Sequence, residues 1–468
     1  MNPLLCTDVY KLGHLEQYKS GTDKVYSYLM ARSAKKYPAS VFFGLQYYLN
    51  KYLCHPIKKK HVKEFLKYRK MVLGSEASEW VKERLYKAAD RGCFSLRIKA
   101  VPEGSKVPVR NALMTVTNTE PDAAWQVGFV ESLLLKVWAP CTVATLSDKL
   151  YGMVSDFGRE TCDDLSHIPF QVHDFGYRGV SSEETAAICG AAHLLKFLGT
   201  DTIPAVKFLH RHYDADETKP IGLSVPASEH SVMCSFGREN ELDAFKHMLN
   251  LYPEGIVSIV SDTYDLWNVL TNFTSTLKDQ ILNRNGKVVF RPDSGVPELI
   301  INGNPDGTSE AEKMGVLRLL ERTFGATTNQ KGYRVLNSKV GCIYGDGMYY
   351  DRFVKTLGIM KENQYASSNL VVGVGGILLQ QHNRDDLGFS FKATYTECNG
   401  EPQLIWKDPI TDSGKKSHKG LLCTTFDGDG EWNTEDQVNW EREGQGMLKT
   451  VYEDGFMRGW RTLDEMRA

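Results

Sequence analysis

Between about residues 170 and 380, short apolar, β-branched runs alternate with longer stretches of helical period. Each run stays apolar until its end, where Asp, Ser, His or Gly gather. The runs are IPFQVHDFG (168–176), IGLSVPASEH (221–230), GIVSIVSD (255–262), KVVFRPDSG (287–295), KVGCIYGDG (339–347) and NLVVGVGG (369–376). Between them, SSEETAAICGAAHLLKFLG (181–199) and ENELDAFKHMLNLY (239–252) read as helices, and Ser181 with Glu184 predicts a capping box. This is βα repetition, and it predicts an α/β fold with an irregular α/β barrel over residues 146–385. Residues 1–145 are mixed, with amphipathic stretches such as 63–74. Residues 386–468 carry strands and turns without the alternation. These N- and C-terminal segments are expected to form a second, α+β domain.

In such barrels the C-terminal strand ends form the active face, while the interior is packed. The polar residues collected there are His173, Asp174, Arg178, Glu229, His230, Asp262, Arg291, Asp293 and Asp346, with Gly345, Gly373, Gly375 and Gly376. Bare glycine amides can approach phosphate oxygens closely, so phosphate is the expected ligand. Each signal has a plainer reading when taken singly. GVGG is more often a tight turn, RPDSG a strand-to-turn junction with a surface ion pair, and His230 a hydrogen-bonded core histidine. Their shared position at successive strand ends makes them a site.

Composition narrows the function. At 468 residues the chain is long for one core, so two domains are expected. A net charge of -2, from 56 basic and 58 acidic residues, supplies no global field for a polyanion. An anionic substrate therefore needs a local basic cluster, and no nucleic-acid partner is expected. The run KKKHVK (58–63) lacks interleaved aromatics and reads as a solvated helix face. Ten cysteines from Cys6 to Cys423 form no CxxC pair, so neither a zinc site nor a disulfide framework is expected. The opening residues show no basic stretch followed by an apolar run, and nowhere do eighteen apolar residues stand together. A cytoplasmic protein with no membrane partner is expected.

From HDFGYRGVSS (173–182) onward the chain resembles the nicotinamide phosphoribosyltransferase family. The match runs through GTDT (199–202), SVPASEHS (224–231), VSDTYD (260–265), RPDSG (291–295), GDG (345–347), GGILLQ (375–380) and KDPITDSGKKSHKG (407–420). TDVYKLGH (7–14), KVYSYLMAR (24–32) and FFGLQYYLNKYL (42–53) extend it over nearly the whole chain. The resemblance implies transfer of a phosphoribosyl group from phosphoribosyl pyrophosphate to nicotinamide, in a homodimer with shared active sites. It implies that Phe175 stacks on the pyridine, that Tyr10 of a partner subunit closes the other face, and that Arg178 and Asp201 address the carboxamide. Asp201 can accept from an amide NH2 and would repel a carboxylate, which favours nicotinamide over nicotinate.

By the same resemblance, Arg291, Asp293, Gly345, Asp346, Gly375 and Gly376 hold the ribose and 5-phosphate. Arg32, Arg384, Ser390, Lys392 and Lys407 gather the pyrophosphate, with Lys415 in an adjoining basic loop. Magnesium rides on the pyrophosphate. His230 is implied as a phosphoryl acceptor from ATP, oriented by Asp262, while Glu229 has no assigned role. Three rival readings remain: a nicotinate phosphoribosyltransferase, a barrel hydrolase using Asp262 and Asp293 as acid and base, and a catalytically silent binding dimer.

Overall fold

The computed structural model describes residues 1–427 and 430–468. The chain divides into two units, Met1–Thr145 with Arg211–Ala215 and His382–Ala468, and Leu146–His210 with Asp216–Gln381. The sequence pattern put the second boundary at 385 and did not foresee the excursion at 211–215.

The first unit is built on a seven-stranded antiparallel sheet. Its order is Glu401–Leu404, Ser390–Cys398, Thr22–Met30, Ala112–Asn118, Leu96–Ala100, Lys449–Glu453 and Phe456–Met457. Thr22–Met30 joins the two ends of the chain, pairing with Ser390–Cys398 on one side and Ala112–Asn118 on the other. Every residue of Ala112–Asn118 is buried. The helices Lys59–Leu73 and Glu79–Arg91 end on Gly74 and Gly92, whose φ values of 71° and 81° suit the left-handed closing turn. In the basic run at 58–63, Lys59 and Lys60 are exposed while His61 and Val62 are buried, so only one face is solvated.

In the second unit five parallel strands run in the order Val172–Asp174, Leu370–Val374, Val340–Tyr344, Asn285–Arg291 and Glu254–Val260. Single bridges close the ring, Asp174 to Thr200, Gly199 to Leu223 and Ala227 to Ser258. The run 221–230, expected as a strand, touches its neighbours only at such points. Pro226 has no N–H to give a ladder, and the Ser228 hydroxyl takes over part of the pairing by accepting from Val260 N at 3.0 Å.

Outward-facing Val257, Ile259, Val288 and Phe290 are buried under the helices, and the alternating inward positions include Ser258, Val289 and Ile343. These line a cavity of about 490 Å³. The interior is thus not the filled core expected of a closed barrel, since space remains open between these inward side chains.

The two helices begin one and two residues later than the pattern predicts. The helix Glu183–His193 is capped by Ser182, which accepts from Thr185 N at 3.2 Å, while Ser181 N donates to Gln380 Oε1 at 2.6 Å. It stops at His193 instead of reaching 199, and His193 bonds to the Val172 carbonyl at 3.2 Å and to Ser147 Oγ at 3.0 Å. The expected helix at 239–252 is Glu241–Leu251. The helical stretch Pro121–Thr161 is long and apolar enough to cross a membrane by length and composition, yet 67% of its most apolar window is buried, as in a core helix.

Candidate active site

In the barrel, Val172–Asp174 pairs with Leu370–Val374 so that His173 lies beside Gly373 and Asp174 beside Val374. Phe175 extends the pairing by donating its N–H to the Val374 carbonyl at 2.9 Å. Its ring lies across Gly373, where a Cβ would meet ring Cε2 at 2.1 Å. Gly373 was grouped with the phosphate-cradling glycines from sequence. The structure makes it the floor on which the half-buried Phe175 ring rests, because any side chain there would occupy the ring's space.

Asp174, fully buried, holds the turn that follows. Its Oδ1 accepts from Gly176 N at 2.7 Å, its Oδ2 from the Thr200 hydroxyl at 3.1 Å, and its backbone carbonyl from Asp201 N at 2.9 Å. Burial pushes its carboxyl upward, against the hydrogen bonds from Gly176 and Thr200. One side chain therefore ties the Phe175 turn to the loop carrying Asp201.

Asp201 Oδ1 lies 2.9 Å from His173 Nε2 and accepts from Ser224 Oγ at 2.5 Å. Burial raises its pKa, but the His173 and Ser224 hydrogen bonds and the charges of His173 and Arg291 outweigh it. The carboxyl sits below its ordinary range and is ionised. Its Oδ2 has no hydrogen-bond partner among the described residues. Arg178 is exposed in the turn Tyr177–Gly179, with no ion pair among those residues. That turn crosses Gly376 closely: a Cβ on Gly179 would meet Gly376 Cα at 2.7 Å, and one on Gly376 would meet the Gly179 carbonyl oxygen at 2.7 Å. Nothing lies within 4 Å of a Cβ on Gly375, so its backbone borders open space.

His230 is exposed, with Nδ1 3.4 Å from Thr263 Oγ1 and Nε2 3.8 Å from Asp262 Oδ1 and 4.0 Å from Asp293 Oδ2. The expected Asp262 contact is thus one of charge rather than a hydrogen bond. Asp262 Oδ2 instead accepts from Asp293 N at 2.9 Å and Ser294 Oγ at 2.5 Å. Oδ1 of Asp262 and Oδ1 of Asp293 are both buried without a hydrogen-bond partner.

Burial raises the Asp293 carboxyl, Arg291 opposes this, and the negative charges of Asp262 and Asp346 reinforce it. Arg291 Nε stands 3.3 Å from Asp293 Oδ2. The Asp293 carboxylate fills the space beside Gly345, whose Cβ would lie 2.1 Å from Oδ1. Asp346 is exposed, and Glu229 accepts from the Ser231 hydroxyl.

The first unit gathers a separate set. Antiparallel pairing sets Tyr28 beside Lys392 and Met30 beside Ser390, and Arg32 follows two residues on. Burial lowers the pKa of Lys392, and the nearby Lys407, Arg32 and Lys11 lower it further while Glu131 opposes them. Ser390 Oγ is buried without a partner. Lys415 pairs with Asp412 at 3.0 Å, and exposed Arg384 lies 3.8 Å from Asp385. Tyr10 is 59% exposed, with its ring edge-on to His14. Sequence reasoning gave no role to Ser224, Thr263, Ser294 or Lys11, since nothing in a polar residue's own run announces its partner from another element.

Comparison with known proteins adds a family. A profile of the nicotinate phosphoribosyltransferase (NAPRTase) family matches residues 170–455, and one of the nicotinamide phosphoribosyltransferase N-terminal domain matches residues 2–78. The chain is 38% identical over 492 residues to a nicotinamide phosphoribosyltransferase of Acinetobacter baylyi, covering 100% of this chain and 96% of that one. It is also 38% identical over 478 residues to one of Xanthomonas campestris pv. campestris, covering 100% and 97%. In fold it is similar to a nicotinate-nucleotide pyrophosphorylase from Pyrococcus furiosus, with TM-score 0.61, 13% identity and coverage of 100% and 94%. It is likewise similar to human nicotinic acid phosphoribosyltransferase, with TM-score 0.55, 16% identity and coverage of 98% and 92%.

The glycine geometry makes a direct test. Gly373→Ala should cost about 1–3 kcal/mol in urea unfolding, because the methyl and the Phe175 ring cannot share one space. Gly375→Ala, facing open space, should stay within about 0.5 kcal/mol of the parent. Equal effects at the two positions would contradict the assignment of Gly373 as the ring's floor.

Proposed function

The chain belongs to the nicotinamide phosphoribosyltransferase family, and on that premise we infer that it joins nicotinamide to phosphoribosyl pyrophosphate, forming nicotinamide mononucleotide and pyrophosphate in NAD biosynthesis. The observation that carries the choice of pyridine is Asp201, held ionised by His173 and Ser224 with Oδ2 left to accept from the carboxamide NH2. A nicotinate carboxylate brought there would meet like charge. Phe175 on its glycine floor offers a flat surface for the ring, and Arg178 is unpaired nearby in sequence to receive the carboxamide oxygen.

The pyridine nitrogen needs no base, since its lone pair is free. It attacks the anomeric carbon as the bond to pyrophosphate breaks, and pyrophosphate leaves with the bonding electrons through an oxocarbenium-like state. Arg291, Asp293, Gly345, Asp346, Gly375 and Gly376 are read as the ribose and 5-phosphate contacts. Of these, Gly375 offers the open backbone. Arg32, Arg384, Lys392, Lys407 and Lys415, with Ser390, have the charge and the unused donor to hold pyrophosphate. The enzyme is read as a cytoplasmic homodimer in which Tyr10 of the partner subunit covers the pyridine, and the exposure of Tyr10 supports this.

Magnesium fits the donors present, because Asp262 and Asp293 each bury an unpartnered hard oxygen beside the expected phosphates. When bound, it would offset charge on the departing pyrophosphate. His230 is read as the ATP-dependent phosphoryl acceptor. With Nε2 turned to Asp262 and Asp293, Nδ1 is the nitrogen placed to take the γ-phosphoryl group, the bond to the β-phosphate oxygen breaking and ADP departing.

The purified protein should make nicotinamide mononucleotide from nicotinamide far faster than it uses nicotinate. Asp201→Ser should narrow the ratio of kcat/KM values by about tenfold or more, as removal of one repulsive charge allows. An unchanged ratio would remove Asp201 from substrate choice.

His230→Ala should lose stimulation by ATP and labelling from γ-labelled ATP while keeping weak basal transfer. Equal labelling of parent and variant would contradict the phosphohistidine.

A further inference from the structure

A cavity of about 590 Å³ in the first unit, whose lining includes Tyr18, Lys19, Asp23, Trp80, Arg84 and Trp125, contains none of the residues assigned above. The helix Glu79–Arg91 sets Trp80 and Arg84 four residues apart on one face. The Arg84 guanidinium carbon lies 3.5 Å from the centre of the Trp80 ring, and Trp80 is 42% exposed. Arg84 makes no ion pair or hydrogen bond through its guanidinium among the described residues, although burial lowers its pKa. A partly desolvated guanidinium with unused N–H donors is a ready anion contact.

The carboxylates around the cavity are engaged elsewhere. Asp122 lies 2.7 Å from Arg91 and 3.7 Å from Lys87, and Glu16 accepts from Ser78 at 2.8 Å and faces Arg69 at 3.8 Å. Lys19 adds a second ammonium with no side-chain partner among the described residues. Trp125 is only 4% exposed, and its Nε1–H is buried without an acceptor. Asp23 shows the converse. Its Oδ2 accepts from Gly400 N at 2.8 Å, but its Oδ1 is buried with no donor.

We propose that this cavity is a second binding site, for a nucleoside monophosphate. The guanidinium plane of Arg84, backed by the Trp80 indole, stacks the base. The edge of Arg84 and Lys19 supply donors for the phosphate. Asp23 Oδ1 and the Trp125 Nε1–H are closed off behind the cavity wall and make no contact with the ligand. The volume lies within the range of small-molecule sites, about 300–1,000 Å³. Adenosine monophosphate and nicotinamide mononucleotide share this chemistry and differ in the base. The site and its test stand apart from the reading of the barrel.

Calorimetric titration of the full-length Phe175→Ala/Arg291→Ala protein, in which the barrel residues read as ligand contacts are removed, tests this with three probes: adenosine monophosphate, nicotinamide mononucleotide and inorganic phosphate. At least one nucleotide should bind once per chain, and the tighter of the two identifies the base. Adding Trp80→Ala or Arg84→Met should weaken it by about tenfold or more, as loss of one stacking surface or one charged contact does. Helix content should stay unchanged, since Trp80 is 42% exposed and the Arg84 guanidinium makes no hydrogen bond or ion pair among the described residues. Inorganic phosphate should bind at least about tenfold more weakly than the nucleotide. Absence of saturable binding by both nucleotides would overturn the proposal. So would unchanged affinity in both variants, or phosphate binding as tightly as the nucleotide.

Discussion

The barrel site depends on one buried carboxylate. Asp174 accepts from Gly176 N through one oxygen and from the Thr200 hydroxyl through the other, while its carbonyl receives Asp201 N. The loop carrying Phe175 and the loop carrying Asp201 are thereby both tied to a single strand end. The arrangement costs desolvation, which raises the Asp174 pKa, and the hydrogen bonds from Gly176 and Thr200 offset part of it.

Around this anchor the strand ends interlock through missing side chains. Gly373 makes way for the Phe175 ring, Gly345 for the Asp293 carboxylate, and Gly179 and Gly376 for each other's backbone. Each close approach places a polar or aromatic group where a Cβ would stand. Asp262, Asp293 and His230 meet at the same end, and two carboxylate oxygens there have no hydrogen-bond partner among the described residues.

Much of this was legible from periodicity, and the failures have physical causes. Five of the six apolar runs form parallel strands because alternation with helices specifies that topology. The sixth, at 221–230, reads the same by composition, but Pro226 cannot donate to a ladder and the chain only brushes its neighbours. The cap fell on Ser182 because Ser181 is drawn to Gln380, 199 residues away, a partner no local pattern reveals. Gly373 was taken for a phosphate contact because a glycine needed for a ring and one needed for an oxyanion look alike in sequence. Arg32, Ser390 and Lys392, distant along the chain, come together through the register of Thr22–Met30 with Ser390–Cys398. Their grouping followed from the resemblance and not from spacing.

Asp174 holds the proposed pyridine site through two loops at once, and steady-state kinetics of Asp174→Ala test this most directly. With Gly176 N–H and the Thr200 hydroxyl released, while Asp201 N keeps its bond to the residue-174 backbone carbonyl, KM for nicotinamide should rise by about tenfold or more, as loss of about 1–3 kcal/mol of positioning implies. Preference over nicotinate should fall with it, while KM for phosphoribosyl pyrophosphate stays near the parent value. A variant that keeps both its nicotinamide KM and its discrimination, or one in which both substrates weaken equally alongside a general loss of stability, would contradict the account.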